Sequence, residues 1–276
     1  KSSKLKINAN DDVNMSQSSN DVIPTAICIS SLLDVERLLV PNLDLLIDEI
    51  DKKAKSLKGI VKTGRTHLMD AMPITFSQEL SGWKAQLIEC KSTLLRAVLR
   101  MRELPQGGTA IGTSINAPKN FAEVFCEEVT KVSKIQTKPI KNFYMGLSSV
   151  DNAVELSAAT RNLASILLKI SNDLRWMNSG PLAGIGDIEL QALQPGSSIM
   201  PGKVNPVIPE AVAMACVDVI GNDTSITIAG ASGNFQLNVM LPLVAYNLLK
   251  SINLLGNALP LLAKKAIRTF KVKQDK

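Results

Sequence analysis

Residues 24–57 read PTAICISSLLDVERLLVPNLDLLIDEIDKKAKSL, and the apolar positions Ile27, Leu32, Leu33, Leu38, Leu39, Leu43, Leu46, Ile47 and Ile50 recur mostly three or four apart. That period is helical, over a span far longer than an average helix. Pro41, with Asn42 beside it, is expected to bend or interrupt the helix without ending the pattern, because proline donates no N–H to the preceding turn. Working outward, the same period predicts helices over 76–104, 119–132, 148–177, 206–220 and 234–262. Short Gly/Pro/Ser segments separate them, so the sequence predicts a mainly α chain, an elongated helical bundle with little room for strands.

The composition narrows function. Four cysteines, Cys28, Cys90, Cys126 and Cys216, lie far apart in apolar or helical contexts, as expected of reduced thiols, and no CxxC spacing supports a metal site. A single histidine excludes a His-rich metal centre. The net charge of +6 is carried at the ends, by Lys1, Lys4 and Lys6 and by Lys264, Lys265, Arg268, Lys271, Lys273 and Lys276, leaving the interior slightly acidic. With aromatic residues at 4% and none interleaved with cations, nucleic acid is not an expected partner. No signal peptide opens the chain and no apolar run spans a membrane without a polar break, so a soluble protein without a membrane partner is expected.

The most chemically dense stretch is Pro195-Gly196-Ser197-Ser198-Ile199-Met200-Pro201-Gly202-Lys203-Val204-Asn205-Pro206. Glycines let it bend, prolines pin its ends, and two hydroxyls, an ammonium and a carboxamide can converge on an anion. Pro206 suits the first turn of a helix that Asn205 would cap. Read alone, the stretch is either an anion-holding loop or a connection whose Ser and Asn only cap neighbouring helices. The run Asn14–Asp21 has the same two readings, as helix cap or as a set of donors aimed at a carboxylate. His67 is either structural or catalytic. Gly107–Thr113 lacks GxxxxGK[ST] and a preceding strand, so close helix packing is expected there, not phosphate binding.

Five segments together carry a family resemblance: NDDVNMSQSSND at 10–21, KTGRTHLMDAMPITFSQE at 62–79, GGTAIGTSIN at 107–116, GSSIMPGKVNP at 196–206 and GNDTSITIAGASGNFQLNVMLP at 221–242. They resemble the fumarase/aspartase superfamily of lyases, and jointly its class II fumarases. The resemblance implies a hydro-lyase that interconverts fumarate and L-malate through an aci-carboxylate intermediate, with no metal or organic cofactor. Ser197 then resembles the catalytic base, and His67 the imidazole that Glu210 holds. Thr66, Ser18, Ser19, Asn20, Lys203 and Asn205 resemble substrate-binding residues. Asn8, Asn10 and Asp11 fall at a possible accessory dicarboxylate site, where the family commonly has a His-Pro pair.

The resemblance also implies a homotetramer with active sites shared between three subunits, in the cytoplasm or, in a eukaryote, the mitochondrial matrix. Family members carry domains before and after the helical region, so three parts are expected here. These are a polar N-terminal remnant at 1–21, a central helical bundle at 22–263 and a basic tail at 264–276. Two alternatives stay open: another lyase of the superfamily, such as an aspartate ammonia-lyase, or a truncated, non-catalytic structural homologue.

Overall fold

The long apolar repeats fold as the helices they predict. The computed structural model describes residues 6–196, 199–200 and 202–273. Eight α-helices are formed by these residues: α1 (Ser19–Asp34), α2 (Val40–Ser56), α3 (Phe76–Met101), α4 (Phe121–Ser133), α5 (Phe143–Ser148), α6 (Asp151–Met177), α7 (Val207–Gly230) and α8 (Leu241–Leu262). In α3, Phe76, Leu80, Trp83, Leu87, Cys90, Leu94, Ala97 and Met101 are all buried at alternating spacings of four and three, the narrow stripe of a bundle helix.

Pro41 does what its missing N–H dictates. The turn before it, Val35–Leu39, is wound as a π-helix, and α2 resumes at Val40 with the proline in its first turn.

Two compact units divide the chain. One takes the residues up to Asp34 with Leu95–Ala158 and Asn222–Leu249; the other takes Val35–Leu94, Ala159–Gly221 and the residues from Lys250 on. The first has its core at Leu32, Leu104, Leu147, Leu156, Ile226, Val244 and Leu248, all buried. The core of the second is made by Leu43, Leu46 and Ile50 of α2, Leu80, Trp83 and Leu87 of α3, Leu167 and Ile170 of α6, and Ile252, Leu255 and Leu259 of α8. Truncating such a leucine costs about 2–5 kcal/mol through lost transfer energy and the cavity left behind.

The structure corrects several boundaries. Around His67, between the helices predicted over 24–57 and 76–104, the chain forms an antiparallel hairpin, β1 (Val61–Thr66) with β2 (Met69–Thr75). Two shorter pairs join β3 (Glu103–Leu104) in parallel to β4 (Lys138–Pro139), and β5 (Ile188–Glu189) antiparallel to β6 (Lys271–Val272). α7 runs ten residues beyond the expected end at Ile220. α8 begins later than expected, because Asn238 stops the chain first. Its carboxamide donates to the Ala229 carbonyl at 2.9 Å and accepts from the Met240 N–H at 2.8 Å.

Candidate functional site

Helix α1 starts in a reciprocal cap. The Ser18 hydroxyl accepts from the Asn20 N–H at 3.1 Å, and the Asp21 carboxylate accepts from the Ser18 N–H at 3.0 Å. Asp21 is fully buried, and its second oxygen accepts from the N–H groups of Gly107 and Thr109 at 3.0 and 2.9 Å. Asn20 donates to the Ala110 carbonyl at 2.8 Å, and Ser16 to that of Asn116 at 3.0 Å. The polar run at 16–21 and the glycine turn at 107–116 are therefore one structure. The turn uses its glycines for close packing, since a Cβ at Gly107 would lie 2.8 Å from that of Ala122. Ser18 and Asn20 are half-buried and Ser19 is exposed at this helix end, where backbone N–H groups and the helix dipole favour an anion.

Asn8 has a local task. It caps a π-helical turn at Ala9–Val13, its oxygen accepting from the N–H groups of Asn10 and Asp11 and its Nδ2 donating to Asp11 at 2.8 Å. Both ends of this carboxamide are engaged within the turn.

His67 stands at the tip of the β1–β2 hairpin. Thr66 pairs with Met69, which leaves His67 and Leu68 as a two-residue turn, both with positive φ, at 54° and 60°. This is the primed turn whose twist suits a hairpin, adopted here without the usual glycine or asparagine. His67 is exposed. Next to the turn Arg65 pairs with Asp187 through Nη1 at 2.7 Å and Nη2 at 3.3 Å, and nearer the hairpin's base Lys62 pairs with Glu79 at 2.7 Å. The Asp187 carboxylate holds Arg65 above its ordinary pKa.

The third cluster follows the stretch at 195–206. Ser197 lies outside the described residues. The loop is pinched at its base, since a Cβ on Gly196 would stand 2.6 Å from the Lys203 carbonyl oxygen. Gly202 has a φ of +82°, and the Lys203 N–H closes a turn onto the Met200 carbonyl at 3.1 Å. Pro206 precedes α7 as expected, but Asn205 does not cap it with its side chain; the Asn205 oxygen accepts from Lys203 Nζ at 2.9 Å. Lys203, Asn205 and Glu210 line a cavity of about 550 Å³ with Asn178, Arg175 and Lys273. A neighbouring cavity of about 690 Å³ is lined by Arg65 and Thr66 of the hairpin.

The structure thus brings Lys203, Asn205 and Glu210 together, and separately Ser18, Ser19 and Asn20. His67 and Glu210 are not hydrogen-bonded to each other within the chain. Sequence reasoning missed Asp187 altogether and, for Asp21, the tie to the turn at 107–109. Asp21 had a signal, the Ser-x-x-Asp spacing of a cap, whereas Asp187 had none.

No group of three or more His, Cys, Asp or Glu side chains among the described residues is placed to hold a metal ion. The four cysteines are buried free thiols. Burial pushes Cys28 and Cys216 up to about 12 and Cys90 and Cys126 up to about 11, so all four stay protonated near neutral pH. Helix α7 is long and apolar enough to cross a membrane by length and composition, yet it carries Glu210, Asp218 and Asp223, and packs Val212, Cys216 and Val219 into the protein.

Comparison with known proteins adds independent findings. Residues 2–221 match the family described as "Lyase". Over 276 residues the chain is 55% identical to the class II fumarate hydratase of Xylella fastidiosa, and over 271 residues 55% identical to "Fumarate hydratase class II 2" of Pseudomonas aeruginosa. These matches take in 100% and 98% of the chain but only 58% and 59% of the relatives. The crystal structure of a class II fumarase from Schistosoma mansoni superposes with a TM-score of 0.96 at 35% identity, over 99% of this chain and 60% of that one.

Proposed function

The chain belongs to the fumarase/aspartase family of lyases, and from that premise we propose that the complete protein hydrates fumarate to L-malate reversibly. The observation that carries this reading is the trio of donor clusters, at Ser18–Asn20, at Thr66–His67 and at Lys203–Glu210. Each is held by its own local structure, and each is rich in groups that bind a carboxylate or move a proton.

The chemistry follows from the substrate. In the dehydration direction a weakly acidic proton leaves the carbon beside a carboxylate, the resulting charge delocalises into that carboxylate, and its return forms the double bond as the hydroxyl of the next carbon takes up a proton and departs as water. Preorganised donors aimed there supply about 3 kcal/mol each. Lys203 and Asn205 are the proposed donors, the ammonium already steered onto the carboxamide oxygen. Ser197 is the proposed base; as an alkoxide it needs the positive field that Lys203 and nearby N–H groups provide. His67, held by Glu210 of another subunit, is the proposed activator of water, since a carboxylate fixes an imidazole's tautomer and raises its basicity. Ser18, Ser19, Asn20 and Thr66 bind the substrate's carboxylates. Asn8, Asn10 and Asp11 are the proposed position of an accessory anion site, which the engagement of Asn8 in its own turn weakens.

Assembly as a homotetramer is part of the proposal, with each active site drawn from three subunits. It is supported by a continuous exposed stripe along α7, Ala211, Met214, Val217, Gly221, Thr224 and Ile228, which contains no charge. Four buried, unpaired thiols fit a cytoplasmic location, or the mitochondrial matrix in a eukaryote.

The test is loss of fumarate absorbance by the complete protein in the presence of a chelator, with aspartate as the competing substrate. Turnover of fumarate is expected. Ser197→Ala is expected to lower kcat at least ~10²-fold with the fold unchanged, and His67→Asn and Glu210→Gln to lower turnover without disturbing assembly. Ammonia release from aspartate would move the assignment to the ammonia-lyases, and inactivity on both substrates would favour a non-catalytic homologue.

A further inference from the structure

The β1–β2 hairpin has an unusual problem of anchorage. No apolar residue of 61–75 is buried, although a two-stranded ribbon is marginal on its own. Its tip holds His67 and Leu68 at positive φ, so the turn adds strain that the rest of the hairpin must oppose.

What holds it is charge. Lys62 and Arg65 are three apart on β1, where strict alternation would send them to opposite faces. The register shifts between Thr63 and Arg65, where two residues of β2 stand opposite Gly64 alone, and the alternation of β1 lapses at this bulge, Gly64 and Arg65 both being half-buried. Gly64 permits the local backbone approach, since a Cβ there would lie 2.6 Å from the Met72 carbonyl oxygen. As a result both cations reach the same carboxylate, Arg65 in the bidentate pair and Lys62 at 3.5 Å. The side chains of Lys62, Asp187 and Arg65 are only 6%, 13% and 21% exposed, so the network is largely withdrawn from solvent screening.

Asp187 is itself fixed. Its carbonyl accepts from the Lys273 N–H at 3.1 Å, and the next two residues form β5, paired with Lys271 and Val272. Ile188 is fully buried, whereas Glu189 lines the cavity of Lys203, Asn205 and Glu210. The anchor therefore lies beside a short strand pair, two residues before that cavity wall.

The geometry points to Asp187 as a positioning residue that holds Thr66 and His67 in register through Arg65 and Lys62. The role assigned to Thr66 and His67 rests on the proposed hydration of fumarate; the anchorage does not. Asp187→Asn keeps the size and one acceptor oxygen but removes the charge that two cations share. Arg65 then faces a neutral partner while Lys62 keeps Glu79 at 2.7 Å, so the tip half of the hairpin loses its charged anchor and the strained turn is free to relax.

The experiment compares Asp187→Asn, Asp187→Glu and the unaltered complete protein by hydrogen–deuterium exchange and by steady-state kinetics. In Asp187→Asn, exchange is expected to accelerate in residues 61–75 while α3 and α6 keep their protection. Displacement of an acid–base group by about 1 Å costs on the order of 10²-fold in rate, so kcat is expected to fall at least about tenfold with a smaller change in KM. Asp187→Glu, which restores the charge, is expected to recover part of both. Unchanged exchange in 61–75 overturns the inference, whatever the activity. Should the unaltered protein prove inactive on fumarate, the functional reading fails, and exchange alone still decides whether Asp187 anchors the hairpin.

Discussion

Asp21 shows how one buried carboxylate can organise two distant segments. Its two oxygens accept from three backbone N–H groups, those of Ser18, Gly107 and Thr109, and the side chain is fully enclosed. Removing it leaves three donors whose water has already been stripped away, at about 1–3 kcal/mol for each one left unpaired. Asp21→Ala is therefore expected to destabilise the protein by at least about 3 kcal/mol, read as a lower urea midpoint. Asp21→Asn, which retains one acceptor oxygen, is expected to lose less. Equal midpoints for Asp21→Ala and the unaltered protein would show that the cap and the glycine turn hold without the carboxylate. The same arrangement fixes Ser18 and Asn20 at the helix end: Asp21, which completes the cap, is tied to the turn at 107–109.

At the scale of elements, ion pairs tie pieces that apolar stripes do not. Arg268, just after the π-helical turn Ala263–Ile267, grips the buried Glu49 of α2 through Nε at 2.8 Å and Nη2 at 2.9 Å. The guanidinium holds the Glu49 carboxyl down at about 2, against an ordinary value of 4.5. A depressed folded-state value stabilises the fold above the unfolded pKa, and that contribution disappears as pH falls through the folded one. The stability difference between the unaltered protein and Glu49→Gln is therefore expected to be constant above pH 4.5 and to shrink between 4.5 and about 2. Denaturant titrations across that range measure it, and a difference independent of pH would remove the pair from the account. The contrast between stripes and ion pairs also decides what the sequence revealed. Helices α3 and α6 were legible because their buried positions repeat every three or four residues. The end of α7 was not, because Asn222, Asp223, Thr224 and Ser225 read as a polar stop; in the fold Asp223 accepts from the buried Ser157 hydroxyl at 2.6 Å and Ile226 is buried. The hairpin was illegible for the opposite reason, having no buried apolar residue to betray it. The three polar segments could be picked out by their composition, although only the family resemblance chose between capping and binding for them. Asp187 could not, since its partner Arg65 is 122 residues away and nothing local marks either.

For the whole molecule the question is what covers the exposed apolar faces and what completes the three donor clusters, and the proposed homotetramer would answer both. Met214, Val217 and Ile228 of α7 are 67%, 59% and 64% exposed, and a side chain at Gly221 would meet nothing within the chain. Such a face is covered most simply by a symmetry-related copy of itself or of its neighbours. Placing Met214→Glu and Val217→Glu together on that face would bury unpaired like charges in the interface, so sedimentation of this double variant is expected to show dissociated subunits and activity to be lost with them. A sharper test asks whether residues of one active site come from different chains. Ser197→Ala and His67→Asn subunits, each expected to be nearly inactive as a pure assembly, can be unfolded together and reassembled at equal amounts. If Ser197 and His67 of one site belong to the same chain, no mixture can contain an intact site and activity stays at the mutant level. When they come from two chains, random assembly gives each position an even chance of the unaltered residue, and about a quarter of the sites regain both. Recovery toward that fraction is the expected result, and mixtures that stay inactive while sedimenting as native assemblies would return both residues to a single chain.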